Sequence, residues 1–426
     1  MTARGWRDPN QYLAALGQAS ISLGNFVLTA LVARALGPAE FGVFVVLASI
    51  VLFVKNLYWS AVTAPLLVSG ATAEDLASPE RRGILALFHA TASALGAVLV
   101  LAGSALALAS LGTQPSAALS GLTALSAVAV MSQDCVRRLL QARGHHRRAL
   151  SIDAVAGALQ IALVTGLARG GLLNLDTAFL AVAAPALCAA ALACREFRGP
   201  WAIRRETVVA AATAHWGYGK WLIATMFLLW TTDRIQVFVG ASLIDASAAA
   251  GLGVSLTIFG TVGMLFSGVE NFVTPLGARM AGAGQWGDFR RLIGHVYTLA
   301  VVASAVYVLP IIWLAPIVLR LVMGPDYVMF EDVLRWVGAW ALIGSLARPA
   351  LMGLKAVRRS RDVFVAYAWS AAGAAATVIP MTESSGASGA AMNMAVGAAI
   401  LAAVATYAYW QRVHEFAAQE PVTADR

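Results

Sequence analysis

A lysine within a run of apolar residues is the first candidate for chemistry in this chain. Lys55 lies near the middle of the apolar segment 41–68 and is followed by Asn56, Tyr58 and Trp59. An ionisable group at such depth in a bilayer costs about 2.5–3.5 kcal/mol on insertion scales, so something must hold it there. Two roles fit Lys55: a cation lining a cavity, or a structural partner for a buried acid or carbonyl. Asp233 and Arg234 form a second such place, within the segment 217–241. Adjacent residues on a helix point about 100° apart, so these two do not simply pair with each other. One faces a cavity and the other a neighbouring helix. Gln18, Ser22, Asn25 and Thr29 recur at i, i+4, i+7 and i+11, a polar stripe on one face of an apolar helix. Such a stripe faces either a water-filled cavity or a helix–helix seam. Gln236 lies one turn beyond Asp233, and Arg335 sits beside Trp336 near the start of another segment. Arg335 is an interfacial anchor or a ligand contact. The candidate substrate-binding set is therefore Lys55, Arg234, Asp233, Gln18, Ser22, Asn25, Thr29, Gln236 and Arg335. Its deep members include two cations, Lys55 and Arg234. A cavity biased that way favours an anion, most commonly phosphate or pyrophosphate, which Arg grips bidentately and Lys attracts as a point charge.

The elements that must position these residues are helices. Hydrophobic residues make up 59% of the 426-residue chain and charged residues only 12%, with a mean hydropathy of +0.74. A soluble domain carries roughly twice that charged fraction. Apolar segments fall at 11–33, 41–68, 83–111, 116–136, 150–168, 175–194, 217–241, 248–273, 294–317, 332–353, 362–381 and 387–410. Each is about the length a helix needs to cross a bilayer, and a helix satisfies its own backbone without water. The expected fold is an all-α polytopic membrane protein of about twelve transmembrane helices. Arg4, Arg7 and the even-numbered loops hold nearly all the arginine, including the clusters Arg137–Arg148, Arg195–Arg205 and Arg348–Arg361. The odd loops hold only Arg34, Arg169 and Arg320. Lys and Arg stay in the cytoplasm, which predicts cytoplasmic N- and C-termini in a cell inner membrane. The first apolar run is too long for a cleaved signal.

Shifting the chain by 211 residues lays Phe41-Gly42-Val43 on Leu252-Gly253-Val254, Arg137 on Arg348, and Arg147-Arg148 on Arg358-Arg359. The same shift lays Asn25 on Gln236 and Ser22 on Asp233. Two lobes of six spans follow, an N-lobe over 1–205 and a C-lobe over 206–426, as a parallel repeat around a central cavity. The stretch 196–214, with Trp201 among arginines, suits a helix lying on the membrane surface. Arg34 and Arg320 read as helix caps. Glu270 and Asn271 read as gate contacts or interfacial groups, and Asp134 and Asp153 as partners for the basic fourth loop. Cys135, Cys188 and Cys194 lack a disulfide or zinc spacing. No metal, cofactor or nucleotide motif is present, and the short basic loops leave no room for nucleic-acid binding. The outer loops are short and nearly uncharged, which argues against an enzyme such as a polymerase or ligase.

Several stretches carry a family resemblance. LVARALGPAEFGVFVVL (Leu31 to Leu47) resembles the first outer turn of the polysaccharide flippases, AR-x-LG-x-x-x-FG. QARGHHRRAL, HWGYGKWLIAT, NFVTPLGAR and LRLVMGPDYVMFEDVLRWVGAW are similar, in order, to later parts of that family. The family is the polysaccharide-transport branch of the multidrug/oligosaccharidyl-lipid/polysaccharide exporter superfamily. The resemblance implies a flippase for a polyprenyl-pyrophosphate-linked oligosaccharide repeat unit, acting in the bilayer by alternating access. It would serve lipopolysaccharide or exopolysaccharide assembly, alongside the polysaccharide polymerase machinery. The alternative is a cation-coupled multidrug exporter of the same superfamily. Such an exporter needs a deep carboxylate, for which this N-lobe offers none at mid-membrane depth and the C-lobe only Asp233.

Overall fold

The computed structural model describes residues 9–65, 78–114, 116–193 and 199–418. Arg4, Arg7, Cys194, Arg195 and Arg198 lie outside them. Among the described residues the chain is helical throughout, with no strand. The elements are α1 (Pro9–Tyr58), a π-helical turn (Trp59–Thr63), α2 (Pro79–Ser110), α3 (Ala117–Ala142), α4 (His146–Arg169) and α5 (Leu175–Ala193). Then come α6 (Arg205–Asp233), α7 (Ile235–Leu243), α8 (Ala246–Gly282), α9 (Trp286–Trp313), α10 (Ala315–Val322), a 3-10 turn (Pro325–Phe330), α11 (Glu331–Ala356) and α12 (Ser360–Ala418).

Glycine and proline divide the longest helices into crossings. α1 breaks at Gly37, whose φ of 71° is open to glycine, and Pro38 starts the next helix with its φ already set. α12 breaks in the same way at Gly386, with φ 59°. α6 and α7 are bent by 46° at Arg234 and together form one crossing. Counting α1 and α12 twice, α6 and α7 once, and α8 with the remaining long helices gives the twelve crossings expected, with α10 a short extra turn. Side-chain caps fix several starts: Ser78 accepts from the Arg81 amide at 3.2 Å, Ser116 from Leu119 at 3.2 Å, and Asp245 from Ala248 at 2.9 Å.

The chain forms two compact units, Met1–Phe227 and Leu228–Arg426, so the boundary falls inside α6. The repeat is visible in their turns. Positive-φ residues pair at close to the 211-residue offset: Gly112 with Gly324, Gly144 with Arg358, and Gly171 with Gly386. Within the first unit, α1 packs on α4 at glycines. A Cβ on Gly157 would stand 2.7 Å from the Ser20 carbonyl oxygen, and one on Gly24 would stand 2.5 Å from Gln160 Oε1. Small residues such as Ala129, Ala183, Ala186 and Ala189 fill the remaining core. Some large apolar side chains, such as Phe41, Leu47 and Phe179, are buried with them, while others point outward: Leu95, Val98 and Leu106 on α2, and Val302, Val306 and Leu309 on α9. Small residues at the helix contacts and exposed large apolar side chains on the outer faces make the pattern of helices packed in lipid. The protein is a multi-pass membrane protein.

Four expectations change here. α3 runs to Ala142 and α4 starts at His146, so the basic fourth loop shrinks to residues 143–145 and Arg137 and Arg138 become helical. Arg348 and Lys355 likewise lie inside α11 rather than in a loop. A window of apolar residues ends at the first charge, whereas a helix continues while its charges find partners. Thirdly, the described part of the stretch 196–214, from residue 199 on, holds no separate surface helix. Residues 199–204 are irregular, tied to the start of α2 by the Ala202 amide on the Pro79 carbonyl at 3.0 Å, and α6 begins at Arg205. Finally, the ninth span ends at Trp313, where Leu314 breaks the helix before α10.

Candidate functional site

The first unit contains a cavity of about 70 Å³ between α1, α3, α4 and α5. Its polar lining is Asn25 and Lys55 from α1, Gln133 from α3 and Gln160 from α4. Ile21, Val130, Val182 and Pro185 complete much of the wall. No carboxylate lines it. Volume of this order admits several waters or one phosphate-sized group. Lys55 occupies the last turn of α1, and among the described residues its ammonium forms no hydrogen bond or ion pair. Gln160 donates to Asn25 Oδ1 at 3.3 Å, which ties α4 to the polar stripe of α1.

A buried charge cluster stands against this cavity. Arg137 donates to Asp134 and, at 2.9 Å, to Gln18 Oε1, with the Asp153 carboxylate 3.9 Å away. Arg138 donates to the second Asp134 oxygen at 3.2 Å, and its guanidinium lies 5.9 Å from the centre of the Trp59 ring. Asp134 is 4% exposed and Asp153 1%. Both carboxylates are buried within the N-lobe, and both face arginine. Lys55 interacts electrostatically with all four of these charged groups. Three cations against two carboxylates leave one positive charge uncompensated, and Lys55 is the cation with no direct partner. An unmatched buried charge is costly, and an anion in the cavity would offset it.

The second unit holds a sparser counterpart. Asp233 closes α6 and accepts from Trp340 Nε1 at 3.3 Å. Arg234 occupies the break between α6 and α7, with φ −136° and ψ −24°; its amide donates to the Trp230 carbonyl at 2.9 Å, while its guanidinium forms no hydrogen bond or ion pair among the described residues. Arg348 on α11 joins Arg234 as an electrostatic neighbour of Asp233. Lys355 pairs with Glu270 at 2.6 Å across α11 and α8, so Glu270 is a packed ion-pair partner.

Two candidates fall elsewhere. Gln236 is 0% exposed and donates to Asn393 Oδ1 at 2.7 Å, and Asn393 in turn donates to Thr377 Oγ1 at 2.8 Å. It belongs to a seam between α7 and α12, out of reach of a solute. Arg335 is held on the first turns of α11 by Asp332 at 2.7 Å and Glu331 at 3.1 Å, an exposed ion-pair triad. Of the stripe, Gln18 and Asn25 reach the cluster and the cavity. The Thr29 hydroxyl is spent on its own helix, donating to the Asn25 carbonyl at 2.8 Å, and Ser22 is half-buried. The stripe is thus both seam and cavity wall. Gln133, Gln160, Arg137 and Arg348 are additions that the sequence reading missed. Asp153, Gly157 and Gln160 fall at i, i+4 and i+7, and Gln133 and Arg137 at i and i+4, which was the available signal.

The MatE family model matches residues 222–381. No curated protein matches the sequence. Among solved structures, an inward-facing multidrug resistance MATE family transporter of the MOP superfamily aligns with a TM-score of 0.76 at 13% identity, covering 94% of this chain and 96% of that one. The lipid II flippase MurJ, in an inward closed conformation, aligns at 0.73 and 11%, covering 96% and 90%. A MOP superfamily transporter from Pyrococcus furiosus, described as having a binding pocket of reverse polarity that suggests a different function, aligns at 0.60 and 13%, covering 96% and 95%. The chain has the fold of the MOP-superfamily transporters. Within that fold, the structural neighbours span drug export and lipid-linked cargo alike, so the cargo must be argued from the charges of this chain.

Proposed function

We propose that the protein flips a polyprenyl-pyrophosphate-linked oligosaccharide repeat unit across the cytoplasmic membrane by alternating access, for lipopolysaccharide or exopolysaccharide assembly. The observation that carries this reading is the unpartnered Lys55 on the wall of a cavity without carboxylates, beside a buried cluster one anion short of neutrality. A phosphoryl group supplies that anion. Lys55 attracts it as a point charge, and the Asn25, Gln133 and Gln160 amides offer donors to its oxygens or to sugar hydroxyls. The polyprenyl chain stays in lipid throughout. Arg234, at a helix break in the C-lobe, is the second cation the head group meets. The six-span lobes, 1–205 and 206–426, are the moving bodies, and no bond is made or broken. The arginine distribution orients both termini to the cytoplasm, and the flipped unit passes to a polymerase outside.

Export of cationic drugs is the competing reading, suggested by the MATE structural neighbours. It needs an available carboxylate. Asp134 is bonded to Arg137 and Arg138, and Asp233 accepts from Trp340 with Arg234 and Arg348 as electrostatic neighbours. Asp153 faces Arg137 at 3.9 Å, so each of the three stands beside an arginine. The test is surface polysaccharide in cells expressing Lys55→Ala and Arg234→Ala at matched levels. Both variants should lose polymer, and wild-type polymer from both would end the assignment.

A further inference from the structure

The helices around Lys55 also carry a chain of hydrogen bonds that no substrate contact uses. His89 on α2 bonds through Nδ1 to the Tyr58 hydroxyl at 2.9 Å and through Nε2 to Ser132 Oγ at 3.1 Å. The rings of Tyr58 and His89 meet edge-on, with centres 5.6 Å apart. Three N-lobe helices, α1, α2 and α3, thus converge on one imidazole.

The proton positions follow from the partners. Ser132 Oγ also lies 2.8 Å from the Val128 carbonyl, and a carbonyl only accepts, so the single Ser132 proton is committed there. The Ser132 oxygen must therefore accept from His89 Nε2–H. That leaves Nδ1 as the acceptor of the Tyr58 proton, and neutral His89 sits in one defined tautomer. Adding a proton at Nδ1 leaves His89 with two donors, and the Tyr58 proton must then turn away. It has somewhere to go. The Cys135 thiol and the Thr63 hydroxyl lie beside the phenol, and the buried Thr63 oxygen makes no well-aligned hydrogen bond of its own. Thr63 closes the π-helical turn Trp59–Thr63, which begins one turn beyond Lys55. Single π-helical turns inside α-helices recur at functional sites.

We propose that His89 is the proton-carrying residue of the transport cycle, and that Tyr58 relays its protonation to the π-helical turn below Lys55. In the step itself Nδ1 takes one proton from water, Tyr58 redirects its own to Thr63 or Cys135, and release from Nδ1 on the return restores the first arrangement. The groups that meet His89 are Tyr58 on α1 and Ser132 on α3, with Cys135 on α3 beside the Tyr58 phenol. On α6, His215 stacks edge-on against the neighbouring Phe88 at 5.0 Å. Histidine is the side chain whose charge changes between about pH 5 and 8, the range over which a proton gradient acts.

The transport part of the test rests on the flippase reading, and the spectroscopic part does not. Full-length protein labelled with nitrogen-15 histidine would be titrated in nanodiscs, with His89→Gln identifying the His89 signals. The account expects the Nε2–H tautomer at high pH, conversion to the doubly protonated ring as the pH is lowered, and an altered midpoint in Tyr58→Phe. A ring that keeps one form over the whole range, or a different neutral tautomer, would overturn the proposal whatever the cargo. In proteoliposomes carrying a polyprenyl-pyrophosphate glycan, an inward proton gradient should accelerate flipping several-fold for wild type. His89→Gln, which retains a hydrogen-bonding side chain, should flip at a rate indifferent to the gradient. Wild-type gradient dependence in His89→Gln would exclude coupling through this residue. If wild-type vesicles flip no glycan, the flippase reading falls and the ring titration decides the proton site by itself.

Discussion

At the scale of single residues, the N-lobe cluster separates groups that hold the fold from a group that holds the ligand. Asp134 pairs with both Arg137 and Arg138, so Asp134→Asn leaves the buried Arg137 and the half-buried Arg138 without their acceptor. Breaking a buried pair in this way costs about 3–5 kcal/mol, and the melting temperature in detergent should fall sharply. Lys55 is the opposite case. Lys55→Met removes an uncompensated charge and keeps a long flexible side chain, so the melting temperature should hold or rise while binding of inorganic pyrophosphate weakens. A hydrogen bond to a charged group contributes about 1.5–3 kcal/mol, which makes the expected loss of affinity about 10- to 100-fold by calorimetry. Arg358 offers a third check. It stands in the turn where the N-lobe has Gly144, with φ 59° against 79°. A non-glycine residue pays about 1–2 kcal/mol for that conformation, so Arg358→Gly should raise thermal stability. Lys55, Asp233 and Arg234 were legible in the sequence because each interrupts an apolar run. Arg137 and Arg348 were not, because a charge near the end of a run looks like the start of a loop. Only the packing shows that their partners draw them inside the helix.

At the scale of elements, the breaks were easier to read than the faces. Gly37-Pro38 announces one helix end and one helix start, and the structure breaks α1 there. The seam between α1 and α4 was half legible. The stripe of Gln18, Asn25 and Thr29 was apparent, but its partners on α4 lay inside a segment that reads as plain apolar helix. That seam depends on close approach, with no room for a side chain at Gly157. Gly157→Val should force α4 off α1, cost about 1–3 kcal/mol and distort the cavity as well. Loss of thermal stability together with loss of pyrophosphate binding is the expected outcome. The same substitution at Gly166, where an added Cβ meets no neighbour within 4 Å, should do neither and serves as the control. The α6–α7 bend is the feature that hydropathy alone did not foresee. It falls at Arg234, where a charge, a helix end and a helix start coincide.

At the scale of the whole molecule, hydropathy and the arginine distribution predicted a twelve-crossing membrane protein, and the 211-residue offset predicted its internal repeat. The recurring positive-φ turns carry that repeat into three dimensions. The cargo was less legible, because it is recognised by a handful of side chains within a fold that serves both drug export and lipid-linked substrates. What favours the lipid-linked anion is the sign of the buried charge: one cation in excess in the N-lobe cluster, a cavity wall without carboxylates, and arginines beside Asp134, Asp153 and Asp233. The most direct measurement of that claim is the state of the lipid-linked glycans in cells lacking the protein. Membranes would be extracted and polyprenyl-pyrophosphate oligosaccharides profiled by mass spectrometry, together with surface polymer, in a strain with no second flippase of this fold. The account predicts complete repeat units accumulating on the lipid carrier while surface polymer disappears. Unchanged lipid-linked pools with unchanged polymer would contradict it.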